Sequence, residues 1–134
     1  MLNIFPELLD YGFMAPSILR ITIGILFVFL GYQKYNSHKE HLSEFLSSIK
    51  INPARTIVQT LGGVEIVLGL LFITGTLTQI AALIALIITL VSIVLAVKQP
   101  DLKLRSVTEY ILISVIATSL ILSGAGFMAI DFPL

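Results

Sequence analysis

From Ile66 to Val97 the chain runs 32 residues without a charged side chain. One straight helix of that length would span about 48 Å, well beyond a hydrocarbon core of about 30 Å. The run therefore has to fold back on itself. Thr74-Gly75-Thr76 is the one small, polar break in it, with a glycine free to take positive φ. A soluble all-α bundle would need a polar face on each helix. Leu77–Val97 offers only Thr78, Gln79, Thr89 and Ser92 for such a face. The membrane reading is the one that fits.

Other uncharged runs complete the pattern. Ile21–Gln33 follows Arg20, Thr56–Val64 is broken by Glu65, and Tyr110–Ile130 carries no charge. Four transmembrane helices are expected, at Pro16–Tyr32, Ala54–Ile73, Leu77–Val97 and Val107–Phe127. Asn52-Pro53 reads as N-cap and first helical position of the second span. Ser106-Val107-Thr108-Glu109 reads as a capping box opening the fourth. Within Ser37–Ile49, the apolar Leu42, Phe45, Leu46 and Ile49 fall at helical spacing. This predicts a short amphipathic interfacial helix between helices 1 and 2. The expected fold is an all-α membrane protein, a four-transmembrane-helix bundle forming one domain over residues 1–134.

Composition agrees. Charged residues are 12% of the chain and hydrophobic residues 57%, against about 25% charged in ordinary soluble domains. Mean hydropathy is +1.02. Eight basic and eight acidic residues cancel, which argues against nucleic acid as a partner, since that needs a clustered basic excess. Without Cys there is no disulfide, no thiol redox centre and no Cys-ligated cluster. The partner implied is the lipid bilayer.

Charge also orients the spans. Lys34, Lys39, Lys50 and Arg55 flank the loop between helices 1 and 2, and Lys98, Lys103 and Arg105 that between helices 3 and 4. The leader carries Glu7 and Asp10 but no basic residue, and the C-terminal end carries Asp131. Four-helix parity puts all these basic residues on one face. The positive-inside rule makes that face cytoplasmic, so localisation is the cytoplasmic membrane with both termini outside. The leader lacks a basic n-region and a clear cleavage site, so no cleaved signal peptide is expected.

Ionisable groups inside spans are costly in hydrocarbon and mark bundle interiors or sites. Arg20 lies near the outer end of helix 1 and Glu65 near the middle of helix 2. Their depths are read as about one turn apart, within reach of an ion pair. Arg20, Gly24, Phe27, Gly31 and Lys34 share one stripe of helix 1, and Gly62, Glu65, Ile66 and Gly69 share one of helix 2. Small residues let transmembrane helices approach closely. Two readings stay open: a polar site for a quinone headgroup, an anion or a proton, or a structural ion pair that fixes packing. Glu109 either pairs with Lys34 or serves its own helix cap. Asp131 is expected at the outer mouth near the depth of Arg20, either as a site residue or as an ordinary interfacial carboxylate.

His38, His41 and Glu44 are spaced to share a helix face, but an interfacial loop with two His is more commonly just solvated, and no metal site is expected. No His lies within a span, so haem ligation between helices has no ligands. Tyr32 and Tyr35 read as interface anchors. No phosphate-binding loop or nucleophile triad is placed, and catalytic residues are unknown.

These strings resemble the DoxX family. Arg20-Ile-Thr-Ile-Gly24, with Gly31-Tyr-Gln-Lys34, is similar to its first-helix pattern. Gly62-Gly63-Val64-Glu65 with Gly69, and then Gly75-Thr-Leu-Thr-Gln79, is similar to its second helix and hairpin. Glu109-Tyr110 and Gly124-Ala-Gly126 with Asp131 resemble its fourth helix and end. The resemblance extends from about Ala15 to Asp131, and its specificity lies in order and spacing. Gln79 stands where related chains often have a basic residue. The resemblance implies a small four-helix membrane protein tied to membrane oxidoreductase systems, with Arg20, Lys34, Glu65, Glu109 and Asp131 as polar-core positions. A quinone cofactor and a redox protein partner are the associations it brings in; the glycine faces make a homo-oligomer possible unless they are spent on packing within the monomer. It does not itself confer catalysis. The alternatives are a non-catalytic packing or assembly protein, or a small transporter, which without an inverted repeat would require an oligomer.

Overall fold

The computed structural model describes residues 14–36, 39–98 and 106–124, together with Gly12 and Gly126. Among them are five helices: α1 (Ala15–Tyr35), α2 (Lys39–Ser48), α3 (Ala54–Thr74), α4 (Thr78–Lys98) and α5 (Val107–Ser123). No strand occurs among the described residues. The helices α1, α3 and α4 are each 21 residues and apolar enough to cross a membrane, while the apolar α5 has 17 residues.

The long uncharged run does fold back at the expected place. Its first helix stops at Gly75, whose φ of 73° is the left-handed conformation a glycine adopts freely. The amide N–H groups of Gly75 and Thr76 both donate to the Leu71 carbonyl, at 2.8 and 3.2 Å, which closes the helix end.

Several boundaries shift from the sequence expectation. The first helix continues to Tyr35, one turn past Tyr32. The N-cap of α3 is Pro53 rather than Asn52, and the Pro53 carbonyl accepts the first helical bond from Ile57 at 3.2 Å. The last helix ends at Ser123, not Phe127, because Gly124 takes φ 75° and leaves the helix. Ser106 caps α5 as expected, but its hydroxyl accepts from the Thr108 amide at 3.4 Å rather than from that of Glu109.

The bundle consists of two tight pairs. Helices α1 and α3 pack along a glycine seam, α4 and α5 along an alanine-rich one, and the pairs meet more sparsely through α1 with α5 and α3 with α4. A Cβ added at Gly24 would lie 2.9 Å from the Gly69 carbonyl oxygen, and one at Gly31 would lie 2.5 Å from that of Gly62. Only hydrogen at these positions lets the backbones come so close. On the other side, Ala81, Ala82, Ala85 and Ala117 are buried. Between the pairs lie Ile23, Phe27, Leu30, Leu68, Phe72, Ile113 and Leu120, with the Phe27 and Phe72 ring centroids 5.9 Å apart. Helix α2 packs mainly on α3 and buries Leu42.

Candidate functional site

The stripe expected on helix 1 is the face the fold buries. Arg20, Gly24, Phe27, Gly31 and Lys34 are all buried, joined by Ile23 and Leu30. On α3, Gly62, Glu65 and Gly69 are buried and Ile66 is half-buried. Arg20 and Glu65 are each only 2% exposed and Lys34 is 9% exposed, so among the described residues two cationic side chains and one carboxyl lie inside the bundle.

Glu65 pairs with Lys34, whose ammonium donates to Glu65 Oε1. This corrects the expected Arg20–Glu65 pair, and the glycine seam supplies the reason. Gly24 opposite Gly69 and Gly31 opposite Gly62 fix an antiparallel register. In that register Glu65 lies level with Val28. Lys34 is six residues from that level, about 9 Å of helix, and Arg20 is eight residues away, about 12 Å. The Cα–Cβ bonds then decide the partner, because they tilt toward each helix's N-terminus. On antiparallel helices the Lys34 and Glu65 side chains lean toward one another. Arg20 and Glu65 lean apart.

Of the two readings open for Glu109, pairing with Lys34 is not the one formed, since the Lys34 ammonium bonds to Glu65. Glu109 is exposed in the first turn of α5, where its charge favours the helix N-terminus. Asp131 lies outside the described residues, as does His38 of the His38, His41, Glu44 set. Among the described residues no three His, Cys, Asp or Glu side chains gather as metal ligands.

Glu65 Oε2 is buried and has no hydrogen-bond partner among the described residues. An unmet acceptor of this kind costs about 1–3 kcal/mol, and more when it is charged. The neighbouring buried face is apolar, with Phe27 and Leu30 on α1 and Leu68 and Phe72 on α3.

Three buried polar residues outside this pair carried little signal in the sequence. Tyr110 is 5% exposed on α5, and Thr78 and Thr89 are fully or nearly fully buried on α4. The Thr89 hydroxyl bonds back to the Ala85 carbonyl at 2.9 Å. Helices α4 and α5 have no continuous polar face, so no periodicity marks their inner faces. Gln79 turns its amide to the Ile121 carbonyl at 3.3 Å and ties the start of α4 to the end of α5. On the outside of the α1–α3 seam runs an open apolar groove of about 440 Å³, lined by Ile25, Val28 and Tyr32 on one helix and Ile66, Leu70 and Ile73 on the other.

The DoxX family model matches residues 15–98, more than half of the chain. No curated protein and no solved structure matches it.

Proposed function

The chain belongs to the DoxX family, and from that premise we propose that it is a multi-pass protein of the cytoplasmic membrane, serving as an accessory, quinone-associated subunit of an oxidoreductase system. That it is a membrane protein rests on the family and on its long apolar helices. In the fuller reading α5 is a fourth span. Its 17 residues give about 26 Å, close to the hydrocarbon thickness. Four crossings gather Lys34, Lys50, Arg55 and Lys98 at one end, which the positive-inside rule places in the cytoplasm. The amphipathic α2 then lies along that interface.

One observation carries the functional part: a buried ammonium–carboxylate pair in an apolar bundle, with one carboxylate oxygen still open. Such a pair offers both a donor and an acceptor to a polar headgroup that arrives from the lipid phase. The sequence has no Cys, and no His within its long helices. Electrons are accordingly assigned to a redox protein partner.

Gentle purification from native membranes, with mass spectrometry of co-purifying proteins, lipids and quinones, tests this. A stoichiometric quinone together with a redox subunit is the expected result. Bulk lipid alone, with unchanged quinone reduction in a deletion strain, rejects it. A second reading is favoured by the close glycine contacts beside the pair: the glycines fix the α1–α3 register, the Lys34–Glu65 pair is a structural element within it, and the protein has a packing or assembly role. Retention of both fold and cellular phenotype by the Lys34→Met, Glu65→Leu double variant would support that reading.

A further inference from the structure

The unsatisfied acceptor in the bundle has a defined position. Glu65 Oε1 takes the Lys34 ammonium, while Oε2 has neither a hydrogen-bond partner among the described residues nor contact with the surface. The Lys34 side chain keeps 11% exposure against 2% for Glu65, so the unmet demand falls on the carboxylate. Helix α4, which packs on α3, carries no ionisable residue between Thr78 and Val97. The only buried residue of α2 is Leu42. On α1, Arg20 lies two turns farther along the helix than the level of Glu65.

We propose that the Lys34–Glu65 pair is a binding site for a single hydroxyl group, whose O–H donates to Glu65 Oε2 and whose oxygen accepts from Lys34. This deepens the reading of a quinone-associated subunit and rests on it for the identity of the ligand. A hydroxyl satisfies both partners at once. A carbonyl satisfies only the ammonium and sets its own lone pairs against a carboxylate. The site therefore selects the reduced, hydroxyl-bearing hydroquinone over the oxidised quinone. A hydrogen bond to an ionised acceptor supports a preference of at least about tenfold. A water molecule has the same hydroxyl chemistry and is the other source.

The test uses the full chain in lipid nanodiscs. Tetramethylhydroquinone under argon, tetramethylquinone and the dimethyl ether of the hydroquinone are titrated separately, with binding followed by infrared difference spectroscopy. The Glu65 carboxylate band is identified by its loss in Glu65→Gln, and in the charge-neutral Lys34→Met, Glu65→Leu variant if the single variant does not fold. The hydroquinone is expected to bind one per chain, to shift that band, and to bind at least tenfold more tightly than the quinone or the ether. If none of the three binds but a hydrogen-bonded water band moves in H₂¹⁸O and vanishes in the variant, the hydroxyl site stands and the quinone-associated reading falls. Equal affinity for all three compounds overturns the proposal. So does a Glu65 band that no compound moves, in a protein with no such water band.

Discussion

Replacing Gly31 with Ala tests the seam on which the site geometry depends. The added Cβ would sit 2.5 Å from the Gly62 carbonyl oxygen, 2.6 Å from Ile66 Cγ1 and 3.0 Å from the Ile66 amide nitrogen. Ile66 can rotate its methylene away, but the two backbone atoms move only with the helix. Restoring ordinary contact requires α1 and α3 to separate by about 1 Å there. Overpacking against rigid neighbours costs about 3 kcal/mol, the upper end of the usual range. Alanine returns about 1 kcal/mol of helix propensity. The expected net loss is about 2 kcal/mol, read as reversible unfolding in mixed micelles. Two controls separate sterics from propensity. Gly12 has nothing within 4 Å of an added Cβ, and Gly63 meets only the hydroxyl at the far end of the exposed Tyr35 side chain, at 3.3 Å. Alanine at either is expected to be neutral or mildly stabilising. If Gly31→Ala is as stable as Gly63→Ala, the close approach does not hold the helix pair together and the register argument for Lys34 and Glu65 fails with it.

Three further outcomes follow from the packing. Lys34→Met or Glu65→Leu alone leaves a buried charge without its partner and is expected to cost about 3–5 kcal/mol, whereas the double variant is close to neutral; a double-mutant cycle by micelle unfolding measures this, and additive effects would show that the pair is not coupled. Phe72→Ala removes a fully buried ring packed on Phe27 and is expected to cost about 3 kcal/mol, at the low end of such truncations because lipid, unlike water, does not penalise the exposed ring; calorimetric or chemical unfolding reads it. Gly75→Ala forces a Cβ into the left-handed region at φ 73° and is expected to cost about 1–2 kcal/mol, with the loss seen in the same unfolding assay.

The sequence reveals helices where a physical signal is local. Thr74-Gly75-Thr76 is one such signal, because a run too long for one bilayer crossing needs a break and only that tripeptide supplies it. The buried stripe of α1 is another. Arg20, Gly24, Phe27, Gly31 and Lys34 differ from their neighbours in charge or size, so helical spacing alone puts them on one face. The inner faces of α4 and α5 carry no such contrast. Ala81, Ala82, Ala85 and Ala117 stand out from surrounding Leu, Ile and Val only by volume, and in hydrocarbon both faces of a helix are apolar. Size, rather than polarity, selects the packing face there. The end of α5 falls short of the uncharged run for a related reason: Gly124 carries no charge, so the run continues past the point at which the backbone leaves the helix.

The pairing of Glu65 shows how far spacing on one helix can lead. Spacing fixes a residue's angle about its own axis, and by that measure Arg20 and Lys34 are equally good partners, both on the face that meets α3. What separates them is height, a property of two helices together. Height is set by where the glycines seat: Gly31 on Gly62 and Gly24 on Gly69. Once that register is fixed, Lys34 is nearer by two residues, and the tilt of the Cα–Cβ bonds closes the remaining gap for Lys34 and widens it for Arg20. The glycines therefore do more than admit close packing. By holding α1 and α3 at one height they determine which of two buried cations neutralises Glu65, and so on which side of the bundle's mid-level the ammonium stands. A seam of alanines would leave the helices farther apart, with the height less sharply set, and the carboxylate's choice of partner would no longer follow from the backbone.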